Sequence, residues 1–300
     1  MYRTTKESRY PFSRPSGTGG AAVGSLAAAV VIVGIIVACE QHGRSTQQAN
    51  GIVVPPPAAQ PVALTPASNS PSVSATVVPP DVSYATAESA FTAHHYPVAT
   101  EMFTAYTARR PENAWGYYML GLSAWHAGQL DRAQQAFENV LTRDPRHVKA
   151  LVNLARVLLD ENEATEALTR INDALAIDSG LGEGWRVLGR TQAQLGHSDS
   201  AIDAYHQALT IDSTDVWSLN NLGLVLIDAS RFTDAVQPLT RAAQLDSTVP
   251  AFSNNLGIAL ERSGQLEGAA KAYQQALSAD SQYVKARVSL ERLKAKGVGC

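Results

Sequence analysis

Apolar and polar positions divide the 300-residue chain into three regimes. Residues 21–38, AAVGSLAAAVVIVGIIVA, carry no charge. Residues 45–80 are again uncharged, hold eight of the chain's fifteen prolines, and show no patterned apolar surface. From Asp81 onward charged and apolar side chains mix as in a folded domain, and a period appears. The tetrapeptide NNLG stands at Asn220–Gly223 and again at Asn254–Gly257, 34 positions later. Extending that interval in both directions gives six blocks without insertion or deletion: 80–113, 114–147, 148–181, 182–215, 216–249 and 250–283. A fixed period of this length predicts stacked copies of one supersecondary unit, each burying its apolar side against its neighbours.

The recurring positions are small or bulky in a set order. The eighth residues are Ala87, Gly121, Ala155, Gly189, Gly223 and Gly257; the twentieth are Ala99, Ala133, Ala167, Ala201, Ala235 and Ala269. The seventh is leucine in every block but the first. The twenty-fourth is Phe103, Phe137, Ile171, Tyr205, Leu239 or Tyr273. This resembles the tetratricopeptide repeat, a 34-residue helix–turn–helix unit, and WGYYMLGLSAWHAGQLDRAQQAFENVLTRDP (115–145) fits it best. The resemblance implies an all-α, right-handed superhelical solenoid of six helical hairpins over 80–283, with residues 284–300 as a capping helix. Small residues at 8 and 20 would let the paired helices touch, with position 24 filling the space beside them. Ser179, Ser213, Ser247 and Ser281 stand where the family favours proline and are expected to cap the following helix.

On a helical wheel of 100° per residue, positions 4, 7, 8 and 11 of the first helix share one side and 2, 5, 6, 9 and 13 the other. In the family the second side lines a concave groove. Asn153, Asn220, Asn221, Asn254 and Asn255 fall on it, and amides both donate and accept. Such a column can hold the backbone of an extended peptide; the alternative is a merely solvated helix face. Lys149, Arg156, Arg186, Arg190, Lys285 and Arg292 share that side against Glu183, with Asp160 and Asp228 diluting the charge. The excess suggests an acidic peptide. In the second block Trp115, Tyr118, Met119 and Leu122 take the groove positions, either as binding anchors or as packing against the divergent first block.

The N-terminal part changes the setting. Residues 1–20 carry Arg3, Lys6, Arg9 and Arg14 against Glu7, ahead of the apolar run at 21–39. That order marks a signal segment or a membrane-spanning helix. Ile36–Cys39, IVAC, resembles the lipobox of bacterial lipoproteins, which implies lipid modification of Cys39. Lipoprotein and single-span anchor both remain open, and both put everything after Cys39 outside the cytoplasm, facing the periplasm or cell envelope. Residues 40–79 read as a proline-rich linker able to reach about 100 Å.

Charge and motifs exclude other classes. Residues 81–300 hold 19 Lys and Arg against 25 Asp and Glu, a balance of −6, so no nucleic-acid partner is expected. No phosphate loop, HExxH, CxxC or GxSxG is present. No enzyme activity, cofactor, metal or small-molecule substrate is expected. His94 and His95 diverge by about 100° on a helix, and Cys300 has no resolving partner. The expectation is a membrane-tethered scaffold or adaptor that binds protein or peptide through its groove. The alternative is a non-catalytic subunit of an envelope enzyme or of a secretion, pilus or cytochrome-maturation complex.

Overall fold

The computed structural model describes residues 81–298. Among them are thirteen α-helices and no strand. They are α1 (Tyr84–Thr92), α2 (Tyr96–Arg109), α3 (Ala114–His126), α4 (Leu130–Arg143), α5 (Val148–Asp160), α6 (Ala164–Ile177) and α7 (Gly182–Gln194). There follow α8 (Ser198–Ile211), α9 (Val216–Asp228), α10 (Phe232–Leu245), α11 (Pro250–Arg262), α12 (Leu266–Ala279) and α13 (Val284–Ala295). The basic segment, the apolar run ending at Cys39, the linker and Cys300 lie outside the described residues.

Each odd-numbered helix pairs with the even-numbered one after it as an antiparallel hairpin, and α13 closes the row. The turn inside every hairpin has one construction. Its fifteenth residue takes a left-handed conformation: glycine at Gly128, Gly196 and Gly264, but His94, Asn162 and Ser230 elsewhere. The next N–H then reaches back five residues, as from Gln129 to the Ala124 carbonyl at 2.8 Å and from Arg231 to the Leu226 carbonyl at 2.7 Å. This closes the first helix on its own orphan carbonyls and aims the chain into the second.

Contact between paired helices follows from the eighth and twenty-fourth positions. A Cβ on Gly121 would sit 2.7 Å from the Phe137 ring, one on Gly189 2.7 Å from Tyr205, one on Gly257 2.5 Å from Tyr273. On Gly223 it would meet Leu239 Cγ at 2.3 Å. The six alanines at position 20 are all fully buried. Leu154, Leu222 and Leu256 fill the seam from position 7. The expected division of labour between small and bulky positions is therefore the physical basis of the hairpin.

Between hairpins the chain does not use the expected serine caps. Helices start three residues beyond those serines, and the aspartate before each makes the turn. Asp178, Asp212, Asp246 and Asp280 accept from the N–H two residues on, at 3.0, 2.9, 3.0 and 2.8 Å. Asp144 does the same to Arg146 at 3.1 Å. A short carboxylate bonded to its own backbone favours this turn over a cap.

Each odd-numbered helix from α1 to α9 also touches the next odd-numbered one, whereas contact between successive even-numbered helices is slight or absent among the described residues. The odd helices therefore form the inner wall of the superhelix and the even ones its outside.

Candidate functional site

The inner wall begins aromatic. Trp115 is 47% exposed. Its ring stacks on Tyr118 with centroids 5.0 Å apart at 21°, and its indole N–H donates to the Tyr84 hydroxyl at 2.6 Å. Tyr118 and Met119 are buried and Leu122 half-buried. Packing thus claims Tyr118 and Met119, and Trp115 is the member of this quartet that presents an open ring.

Further along, polar side chains meet across the repeats. Asn153 donates to the Tyr118 hydroxyl at 3.0 Å, and Arg156 donates to the Asn153 oxygen at 3.2 Å. Burial pushes the Tyr118 hydroxyl above the usual tyrosine pKa, with the Asn153 bond opposing the rise. Arg156 also pairs with Glu183. Arg186 Nη1 reaches both oxygens of Asp215 at 2.8 and 2.9 Å. Arg190 holds Asp160 at 2.6 Å, and Asp160 accepts from the Trp125 indole at 2.8 Å. Arg292 bridges both oxygens of Glu261 at 2.9 and 2.7 Å.

These contacts correct the reading of the groove as an open basic lining. Each of its four arginines is neutralised by a carboxylate 27 to 31 positions away. Lys149 and Lys285 remain exposed. Asp215 and Glu261 were the missed partners. The signal lay in the period itself, since a carboxylate nearly one repeat from an arginine falls beside it on the next helix.

The asparagines are corrected as well. Asn220, Asn221, Asn254 and Asn255 are at most 5% exposed, and Asn153 6%. Asn255 Nδ2 donates to Asn220 Oδ1 at 2.9 Å, and Asn220 Nδ2 faces Asn221 Oδ1 at 3.3 Å. Asn254 Nδ2 stands 3.4 Å from Asn255 Oδ1. The bond from Asn255 to Asn220 crosses the contact between α9 and α11 and joins the fifth repeat to the sixth. No group of three or more metal-binding side chains comes together among the described residues.

Comparison with known proteins agrees with this architecture. A stretch of 149 residues is 33% identical to cellulose synthase 1 operon protein C of Komagataeibacter xylinus, covering 48% of this chain and 11% of that protein. The chain thus spans a small part of that relative's length. The solved structure of Pseudomonas aeruginosa pilF is similar in fold, with TM-score 0.56 at 22% identity, over 63% of this chain and 86% of that one. The structure of YrrB, described as a TPR protein with an unusual peptide-binding site, has TM-score 0.50 at 18% identity, over 66% of this chain and all of its own. Tetratricopeptide-repeat proteins mediate protein–protein interaction, and the fold is typically a non-catalytic scaffold. Residues 63–297 match the family model described as the Cilia and flagella-associated protein 70 C-terminal domain, and with its repeating hairpins the chain belongs to that tetratricopeptide-repeat family.

Proposed function

We propose that the protein is a tethered adaptor whose inner wall takes an extended segment of a partner protein, anchored on Trp115. The observation that carries this reading is the open, pre-stacked ring of Trp115 at one end of a wall whose arginines are already paired with carboxylates. A ring held by Tyr118 and Tyr84 loses little freedom on binding, and aromatic anchors dominate most interfaces. Lys149 supplies a cation one repeat further on. Recognition then rests on an aromatic anchor and shape, with a minor electrostatic contribution, rather than on a column of free amides and arginines.

The tether belongs to the same proposal. Among the described residues no helix is long and apolar enough to cross a membrane, and the reading rests on the uncharged run at 21–38 and on Cys39. The repeats would then work outside the cytoplasm, at the end of the proline-rich linker.

The test places a photo-crosslinking amino acid at Trp115, at Lys149 and, as an outer-wall control, at Gln207 in the full-length chain. Crosslinks to one partner from the first two positions and not the third support the proposal. Equal yield from all three, or none from the inner wall, rejects it. Labelling with a lipid precursor, lost on Cys39→Ser, tests the anchor separately; labelling that survives the substitution rules out Cys39.

A further inference from the structure

The seam between the fifth and sixth repeats is built differently from its sisters. At position 28 the second, third, fourth and sixth repeats carry Leu141, Leu175, Leu209 and Leu277, whereas the fifth carries Ala243. At position 4 of the following unit the other seams carry Tyr117, Leu151, Trp185, Leu219 or Arg287, and this one Ser253. Both sides of one packing contact are therefore truncated together. Phe252, fully buried and edge-on to Trp217 at 5.2 Å, takes the inner part of the space. The outer part stays open as a cleft of about 750 Å³ between α10, α11 and α12.

Two of the other seams show what that space can hold. Trp185 lies over its seam and donates its indole N–H to the Ser179 carbonyl at 2.8 Å. Arg287, at the same position in α13, donates to the Ser281 carbonyl. Ser247 is the equivalent of Ser179 and Ser281. It lines the cleft, and Ser253, where the other two seams have Trp185 and Arg287, is too short to make the equivalent bond to its carbonyl. Leu256, Leu260 and Ala272 give an apolar floor. Gln244 and Gln275 stand on the rim with Lys271, the single charged side chain of the lining. An apolar floor with a few placed polar groups is the usual make-up of a binding cleft.

We propose that this cleft is a second binding site, on the outer side of the solenoid, for a tryptophan on an extended acidic segment of a partner protein. The guest indole occupies the place that Trp185 fills at its own seam and donates to the Ser247 carbonyl. The rim amides of Gln244 and Gln275 hold the segment's backbone, and an adjacent carboxylate meets Lys271. The site is independent of the inner wall, because positions 4, 7 and 11 of α11 face away from it.

A phage-displayed library of random heptapeptides, panned on the full-length chain, tests this. The expected result is enrichment of tryptophan with an aspartate or glutamate within two residues. A synthetic representative should lose at least tenfold in affinity on Ser253→Trp, which fills the cleft from within. It should lose severalfold on Lys271→Glu, an exposed change that leaves the fold alone and decides the matter should Ser253→Trp fold poorly. No enrichment, or affinity unchanged by Lys271→Glu, overturns the proposal. Peptides lost on Trp115→Ala but retained on Ser253→Trp overturn it too, while leaving the inner-wall reading intact.

Discussion

Asn255 donates its side-chain amide to the oxygen of Asn220 at 2.9 Å, across 35 positions of sequence, with both residues buried. The bond joins α9 to α11, so it ties the fifth repeat to the sixth. Asn255→Ala removes the donor and leaves Asn220 Oδ1 buried without it, at a cost of about 1–3 kcal/mol. Asn220→Ala should cost a similar amount, and the double substitution less than the sum of the two, because the bond between them is then lost once rather than counted twice. Urea denaturation of the three variants measures this. Additive losses would show that the two amides do not depend on one another.

Gly223 lies against Leu239 more closely than any side chain allows, its would-be Cβ 2.3 Å from Leu239 Cγ. Gly223→Ala should therefore destabilise by about 1–3 kcal/mol through overpacking. Shortening the opposing residue should relieve it: Gly223→Ala combined with Leu239→Ala should show a favourable coupling in thermal denaturation. The third repeat already pairs an alanine with a branched residue, Ala155 with Ile171, both fully buried. A double variant no better than the sum of its parts would place the strain elsewhere.

These two pairs mark how far the sequence could be read. The Gly223 and Leu239 contact is legible because both residues sit in one unit and recur with it; substitution at one position is answered at the other within the same 34 residues. The Asn255 and Asn220 contact is not. A helical wheel reports which way a side chain leaves its own axis, and both amides do leave toward the inner wall. It does not report how near the next helix approaches, and that approach turned expected ligands into cross-links. Arg186 and Arg190 were misjudged for the same reason, since Asp215 and Asp160 become neighbours only when repeats stack. Trp115 was legible as a groove-side aromatic because position 2 falls on that side of the wheel; that its ring stays open while Tyr118 and Met119 are buried was not.

Ser230 holds the turn between α9 and α10 with φ +59°, where three other hairpins use glycine. A side chain in that region crowds its own backbone, and glycine does not. Ser230→Gly should raise stability by about 0.5–1 kcal/mol, with Asn162→Gly giving less because asparagine tolerates the left-handed region. The reverse change, Gly264→Ala, should cost about 1 kcal/mol. Melting temperatures of the three variants decide this. A fall on Ser230→Gly would mean that the serine contributes a contact outweighing its backbone strain.

His126 gives the first hairpins a dependence on pH. Its ring stacks on Tyr96, centroids 4.6 Å apart at 15°, and lies edge-on to Phe91 at 5.8 Å. Its Nδ1 is buried without a hydrogen-bond partner. Burial first, and then the nearby His94, hold its pKa below the usual histidine value. The unfolded chain, with an ordinary value of about 6.5, then binds more protons than the folded one at pH just below it. Stability must rise with pH across that interval. It is fully present above about pH 6.5 and declines as the pH falls through that value and on toward the lower folded pKa. His126→Phe keeps a flat ring on Tyr96 and removes the proton acceptor, so the loss of melting temperature between pH 7.5 and pH 5.5 should shrink in the variant. Curves of equal slope for parent and variant would assign the acid sensitivity to another group.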